Sequence, residues 1–590
     1  MTRFLCTVAV ACSLADIAAA EQGIYPLADV EPGLRGTGLS VFRGEAPETF
    51  GVEVLGVWRE VSPGTSYILA RLTGQGLEES GVIAGMSGSP VYVGERLLGA
   101  VSFSWPFSQQ PIAGITPIET MRELDAAEPA APPSAGIARL DPELLTRERL
   151  PEDLLLGSLS RLTARPVQGG ASGLLWSLSG FGEWSRSLLA RGLQGGVATA
   201  GRDLVSGAAG LEAGDAVAAV LVDGDLRLAA TGTVTERTGD RILAFGHPFL
   251  GLGDLRVPMA QAEVVTVVPS RAVSFKLANT GAVVGAFDLD RSPGIRGRLG
   301  LEAPTIPVGV SIRGERDRDF ELRVADLPQL VPTLLAVGIL GSLDATTQTA
   351  GAQTVGLRIR LELRSRPSLE LRQVFEGEGA SLQAALWTLA LTGFVLQNDF
   401  DEVALEGVEV TLDQTPVRQA ARVGAAHPDR RIVKPGDRVT LAVELRPYRG
   451  EPSRRQIVVT VPEGLPDGKY FLLVGDGTSM TAARLAVEKS APETLDQALG
   501  LLRSIAPRDR LVASGLFAAA GLRVAGEALP QLPGSIQSLW RAADPVGFET
   551  LDLAWIPSAS VESDVPLTGV TRVDLEVRRD GIGNEREGGE

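Results

Sequence analysis

Short runs that alternate with period two, each closed by a Pro/Gly turn, dominate the first part of this chain. Gly38-Leu39-Ser40-Val41-Phe42, Phe50-Gly51-Val52-Glu53-Val54-Leu55 and Tyr67-Ile68-Leu69-Ala70-Arg71-Leu72 are such runs. Glu31-Pro32-Gly33 and Ser62-Pro63-Gly64 mark the turns around them. Alternation at this spacing puts one face of each run against a core and predicts a small barrel over about residues 25–118. The 69 glycines and 37 prolines, with few long helical patterns, extend the expectation of a mainly β architecture to the whole chain. At 590 residues the chain is too long for one ordinary core, so several domains are expected.

The punctuation divides the chain. Residues 1–20 read as a signal peptide. Arg3 is the basic start, Phe4 to Ala15 the apolar stretch, and Ala18-Ala19-Ala20 the cleavage site before Glu21. Ala9-Val10-Ala11-Cys12 is a weak lipobox, so a lipoprotein anchored at Cys12 is the alternative. Residues 21–125 form the first β module and 126–139 a Pro/Ala linker. A second β module with a helical insertion covers 140–365, and a helical connector 366–425. A β-sandwich is expected over 426–490, then an accessory region over 491–590 with a disordered tail. Ala384–Leu396 and Leu334–Leu343 are apolar but too short to span a bilayer, and are predicted as buried core helices. No transmembrane span is expected once the signal is removed.

Both cysteines, Cys6 and Cys12, fall inside the predicted signal. The exported chain would hold no disulfide, no thiol nucleophile and no cysteine metal site. Two histidines make a zinc site improbable, and no cofactor is expected. A net charge of −17 argues against nucleic acid and anionic membrane as partners. The expected compartment is the periplasm or the extracellular space. Nothing in the sequence sets an oligomeric state.

One turn carries chemistry. Gly85-Met86-Ser87-Gly88-Ser89-Pro90 lies between the β-like runs Ser80–Ala84 and Val91-Tyr92-Val93. Glycines on both sides of a serine allow a tight turn whose N–H groups converge on one point, as an oxyanion hole requires. Pro90 restricts Ser89 to extended backbone, which favours Ser87 as the nucleophile. A plain β-turn is the alternative reading. A serine needs a base. His247, in Ala244-Phe245-Gly246-His247-Pro248, ends an apolar strand at a turn, where scaffolds present catalytic groups. Its alternative is a histidine satisfied by backbone. His427 sits in a polar loop between domains and reads as a surface residue. Gly210-Leu211-Glu212-Ala213-Gly214-Asp215 has the look of a PDZ turn but equally of an ordinary strand entry. The glycines from Gly246 to Gly253 lack the lysine and helix of a phosphate loop.

At these residues the chain resembles the SpoIVB-type serine peptidases (peptidase family S55). The resemblance rests on Gly-Met-Ser-Gly-Ser-Pro, on Ala-Phe-Gly-His-Pro, and on flanking segments. These are Pro26–Gly33, Leu39–Gly44, Asp290-Arg291, Gly294–Gly297 and Ile306–Val308, within residues 25–120 and 205–312. It implies peptide-bond hydrolysis of a protein or peptide substrate through an acyl-enzyme. Ser87 would be the nucleophile, His247 the general base, and the Gly85 and Ser87 N–H groups the oxyanion hole. It also implies two β-barrel-like modules in a chymotrypsin-like unit, here with the histidine module after the serine module. Triads tolerate any chain order because geometry defines them. The family's aspartate, just upstream of the serine, has no counterpart in Leu72-Thr73-Gly74-Gln75-Gly76. Glu78 and Glu79 sit at shifted positions. Asp254 and Asp225 are the candidate orienting acids, each also explicable as a turn residue. A catalytically impaired scaffold or binding protein of the cell envelope is the competing expectation. An adhesin-like structural protein, with Ser87 and His247 far apart, is a third.

Overall fold

The computed structural model describes residues 23–126, 142–162, 171–172, 174–193, 195–201, 210–347, 351–488, 492–524, 527–529 and 548–580, with residues 535 and 539. The signal segment, nearly all of the Pro/Ala linker and the tail past Asp580 lie outside these residues.

The chain is mainly β, as its alternation predicts. In the first module the strands are β1 (Arg35–Ser40), β2 (Glu48–Ser62), β3 (Thr65–Thr73), β4 (Ile83–Ala84), β5 (Pro90–Val93), β6 (Arg96–Ser104) and β7 (Ile112–Pro117). Six of them pair in the order β5-β1-β2-β3-β7-β6, and β5 also pairs with β6, so the sheet closes into a barrel. The inward positions are the apolar ones of the alternation. Phe50, Val52, Val54, Ile68, Ala70, Leu72 and Ile115 are buried in one cluster. The helix Ile118–Ala126 follows β7 and packs Met121 and Leu124 against Leu243 and Leu289 of the second module.

The second module continues with β8 (Ala171–Ser172), which extends the first sheet beside β6, then β9 (Leu175–Ser179), β10 (Gly196–Thr199), β11 (Ala216–Gly224), β12 (Arg227–Thr238) and β13 (Arg241–Ala244). After the histidine turn come β14 (Gly253–Val268), β15 (Ser274–Arg291), β16 (Gly294–Leu299), β17 (Thr305–Arg313) and β18 (Arg318–Ala325). The pairings run β12-β13-β16-β15-β14-β11 and return to β12, so a second ring of six strands also closes. One strand crosses between the modules: β4 leaves the first barrel and pairs in parallel with β15. The serine turn therefore starts on one ring and ends on the other.

The region expected as a helical connector is part of this second sheet. Strands β19 (Gln353–Leu363), β20 (Leu369–Gly377) and β21 (Leu405–Thr415) extend it through β17. The helices Val331–Thr346 and Ala380–Leu396 pack on each other and are buried almost throughout. Helices apolar on every face need such an interior. Among the described residues no helix is long and apolar enough to cross a membrane.

The sandwich is larger than 426–490. One sheet contains Ala421–Pro428, Arg438–Pro447, Ser453–Thr460 and Leu567–Thr568. In the other, Gly468–Asp476 pairs with both Arg510–Val524 and Val570–Val577. Strands after residue 490 thus supply most of one layer, and the fold runs from Ala421 to Val577. Its core interleaves Leu441, Val443 and Val459 with Leu472, Val474 and Val573. His427 is exposed on a strand of this sandwich, paired with Ala442.

At Gly88 the two rings approach closely. Its φ is +94°, and a Cβ there would lie 2.0 Å from the Thr233 carbonyl oxygen and 2.5 Å from the Phe245 nitrogen. Both obstacles are backbone and cannot swing aside. Gly88→Ala is expected to destabilise the protein by at least about 1–3 kcal/mol in denaturant unfolding, through overpacking and left-handed strain. Gly309→Ala is the control, because that site is open and has an ordinary φ. Equal midpoints for the two variants would contradict the close approach.

Candidate active site

The serine turn is held from outside its own module. Met86 N–H bonds to Ile83 O and Ser89 N–H to Met86 O, which close the turn. Thr233 on β12 then donates its N–H to Ser87 O at 2.8 Å and its hydroxyl to Gly85 O at 3.0 Å. Thr235, two residues on, donates its hydroxyl to Gly88 O at 2.7 Å. Alternation on β12 puts both threonines on the face that meets the turn. The amides of Gly85 and Ser87, the expected oxyanion donors, are not among the donors of the turn's own bonds.

The histidine turn is held in the opposite sense. Gly246 O accepts hydroxyl bonds from Ser102 on β6, at 2.8 Å, and from Thr116 on β7, at 2.6 Å. Both donors are buried residues of the first barrel. Phe245 has φ +70°, an uncommon conformation for a bulky side chain, and its ring packs against those of Phe249 and Phe287. Each half thus supplies the bonds that fix the other's turn, and the chain segments bearing Ser87 and His247 are neighbours. The adhesin-like expectation, with the two residues remote from one another, is not met.

Ser87 is 2% exposed and His247 4% exposed. Ser87 Oγ and His247 Nε2 are both enclosed and have no hydrogen-bond partner among the described residues. His247 Nδ1 lies 2.8 Å from Pro248 O. A carbonyl only accepts, so Nδ1 carries the proton and Nε2 keeps its lone pair. Burial pushes the imidazole down to about 4, against a smaller upward pull from the Pro248 carbonyl. This histidine is neutral at pH 7, in the tautomer a general base needs.

Neither expected acid orients it. Asp225 accepts the Glu321 N–H at 2.8 Å, in the turn between β11 and β12. The Asp254 carboxylate is enclosed and unpaired. It lines a cavity of about 540 Å³ with Arg256, Asp288, Arg296, Arg298 and Asp326. Glu78 accepts the Gly74 N–H, four residues back along its own chain, and Glu79 lines a separate cavity of about 260 Å³. Nδ1 is bonded to its own chain because the Gly-His-Pro turn folds the next carbonyl back onto the ring.

The acid that does organise this turn is Asp290, at the end of β15. Its carboxylate accepts the N–H groups of Phe249 at 2.8 Å, Leu250 at 2.6 Å and Gly251 at 2.6 Å. Burial outweighs these bonds and pushes the carboxyl up to about 6. Asp290 is a positioning residue for the histidine loop. The Asp290-Arg291 pair is visible in the sequence, but the amides it collects lie about 40 residues away. Among the described residues no group of three or more His, Cys, Asp or Glu is placed to hold a metal ion. No family model matches the chain, and neither does any curated protein or solved structure.

The two buried groups act on stability in opposite senses. His247 is depressed from its ordinary 6.5, so its contribution is complete above 6.5 and is lost as pH falls through about 4. Asp290 is raised from 3.8, so its contribution is present below 3.8 and is lost as pH rises through about 6. NMR titration is expected to show the His247 ring unprotonated down to pH 5 and titrating near 4; a midpoint at or above 6.5 would refute the burial. Asp290→Ala strands the two buried amides of Phe249 and Leu250, each costing about 1–3 kcal/mol, and is expected to lower the melting temperature accordingly.

Proposed function

We propose that this chain is an exported serine peptidase of the SpoIVB type, with Ser87 as nucleophile and His247 as general base. The observation that carries the reading is the reciprocal locking of the serine and histidine turns. It brings the two turns together, and Ser87 Oγ and His247 Nε2 are each buried and unbonded, to each other as well. A structural pair would be satisfied by partners, since buried polar groups rarely go unbonded.

In the reaction, Ser87 Oγ attacks the scissile carbonyl as its proton passes to His247 Nε2. The carbonyl oxygen gathers negative charge beside the Gly85 and Ser87 amides. Collapse expels the amine, which takes the proton from Nε2, and water then releases the acyl group by the same route. The Pro248 carbonyl takes the orienting place that a carboxylate fills in a triad. A carbonyl holds the tautomer but stabilises the imidazolium less than a charge does. Loss of the acid's charge costs about 10⁴ in kcat in a triad, so slow turnover follows. Burial of both side chains further requires the groove to open for substrate.

The scaffold or binding reading has two observations in its favour: Nδ1 meets a carbonyl rather than a carboxylate, and both side chains are buried. Labelling with a fluorophosphonate separates the two. The peptidase reading expects one adduct on Ser87, absent in Ser87→Ala and slowed about 10²-fold or more in His247→Gln. Folded wild type with no adduct mapping to Ser87 would leave the scaffold reading standing.

A further inference from the structure

Beneath the serine turn lies a second set of polar groups that Ser87 and His247 do not use. In β1 and β5, Thr37 faces Tyr92 and Gly38 faces Val91. The same register carried two residues further sets Ser40 opposite Ser89. Their hydroxyls are 2.9 Å apart, and Lys276 Nζ lies 2.9 Å from Ser40 Oγ. Lys276 follows Phe275, the residue on β15 that pairs with β4 at the entry to the turn. Its stem runs under the turn, with Cδ 3.1 Å from where a Gly85 Cβ would be. All three side chains are fully buried.

A buried cation is expected to have a carboxylate. Arg296, also buried in this module, has Asp288 at 2.9 Å. Arg227 has Asp223 at 2.6 Å. Among the described residues Lys276 has only a hydroxyl. The residue type matters as well. Only four lysines (Lys276, Lys434, Lys469 and Lys489) stand among 55 basic residues, and arginine cannot give up its proton in a protein. The fully buried base beneath the turn is one of those few that can. Burial alone brings its amine down to about 7.

We propose that Ser89, Ser40 and Lys276 form a second proton relay in this turn, with the neutral Lys276 amine as base and Ser89 as a second acyl-accepting hydroxyl. Its substrate class is an activated carbonyl or phosphoryl electrophile that enters when the turn opens. Ser89 Oγ forms a bond to the acyl carbon, and the carbonyl π pair moves to oxygen. The Ser89 proton passes to Ser40 Oγ as the Ser40 proton passes to the Nζ lone pair. When the oxyanion collapses, the bond to the leaving alcohol or amine breaks. That group takes the proton back along the chain, leaving the acyl group on Ser89 and the amine neutral. The relay shares its turn with Ser87 but not its base, so the two assignments fail separately.

The test is fluorophosphonate labelling of the full chain followed by peptide mapping, on variants first shown to be folded by thermal melting. In Ser87→Ala the label is expected on Ser89. Adding Lys276→Met or Ser40→Ala slows the labelling by about 10²-fold or more. Ser40→Thr restores it, which a purely structural role for Ser40 would not require. If Lys276→Met does not fold, Ser40→Ala decides, because it keeps the amine and cuts the chain of hydroxyls. No adduct on Ser89 in folded Ser87→Ala overturns the relay, even if wild type labels Ser87 through His247. An adduct on Ser89 that forms equally fast without Lys276 or Ser40 overturns it too.

Discussion

Five hydrogen bonds across the seam between two β rings decide what this molecule can do. Thr233 and Thr235 reach from the second ring to the carbonyls of Gly85, Ser87 and Gly88. Ser102 and Thr116 reach from the first ring to the carbonyl of Gly246. Neither turn is complete in its own module. A serine turn without β12, or a histidine turn without β6 and β7, would have buried carbonyls with no donor, at about 1–3 kcal/mol each. The interface is therefore part of the site, and the two rings form one unit although a long connection separates them in sequence.

The same enclosure sets the chemistry. Taking His247 out of water keeps it neutral, and the Pro248 carbonyl chooses its tautomer. Taking Lys276 out of water without a counter-charge lowers its amine to about 7, so both the neutral and the charged form are accessible near neutral pH. Asp290 spends its charge on the amides of the loop after His247 rather than on the ring. Three ionisable groups that would be ordinary on a surface are shifted here by one cause, burial, and each is then specialised by what it touches.

The local elements were legible in the sequence because local rules made them. Alternation marked the strands of the first barrel, and Gly-Met-Ser-Gly-Ser-Pro and Gly-His-Pro marked the two turns. Uniform apolarity marked the buried helices around Leu334–Leu343 and Ala384–Leu396. What depended on distant pairing was not legible. Nothing near Ile83 announces that β4 joins β15, nearly two hundred residues away. The strands Leu369–Gly377 and Leu405–Thr415 do alternate, but the helix between them disguised them as a connector. Asp254 and Asp225 were natural candidates by proximity to His247 in sequence, yet the imidazole found its partner one residue away. Asp290 was visible as part of Asp290-Arg291 but its partners were not, and Lys276 had no local signature; the register of β15 gives both their meaning.

The account stands on the serine and histidine turns meeting at one seam. Cysteines at both positions measure that directly, because Cys6 and Cys12 are the only native thiols. A Ser87→Cys, His247→Cys protein, with Cys6→Ser and Cys12→Ser, can be treated with a short bifunctional thiol reagent while folded. The interlocked rings predict one reagent bridging residues 87 and 247 within a single chain, read by peptide mass. Two thiols each carrying a separate reagent, with no bridge, would contradict it.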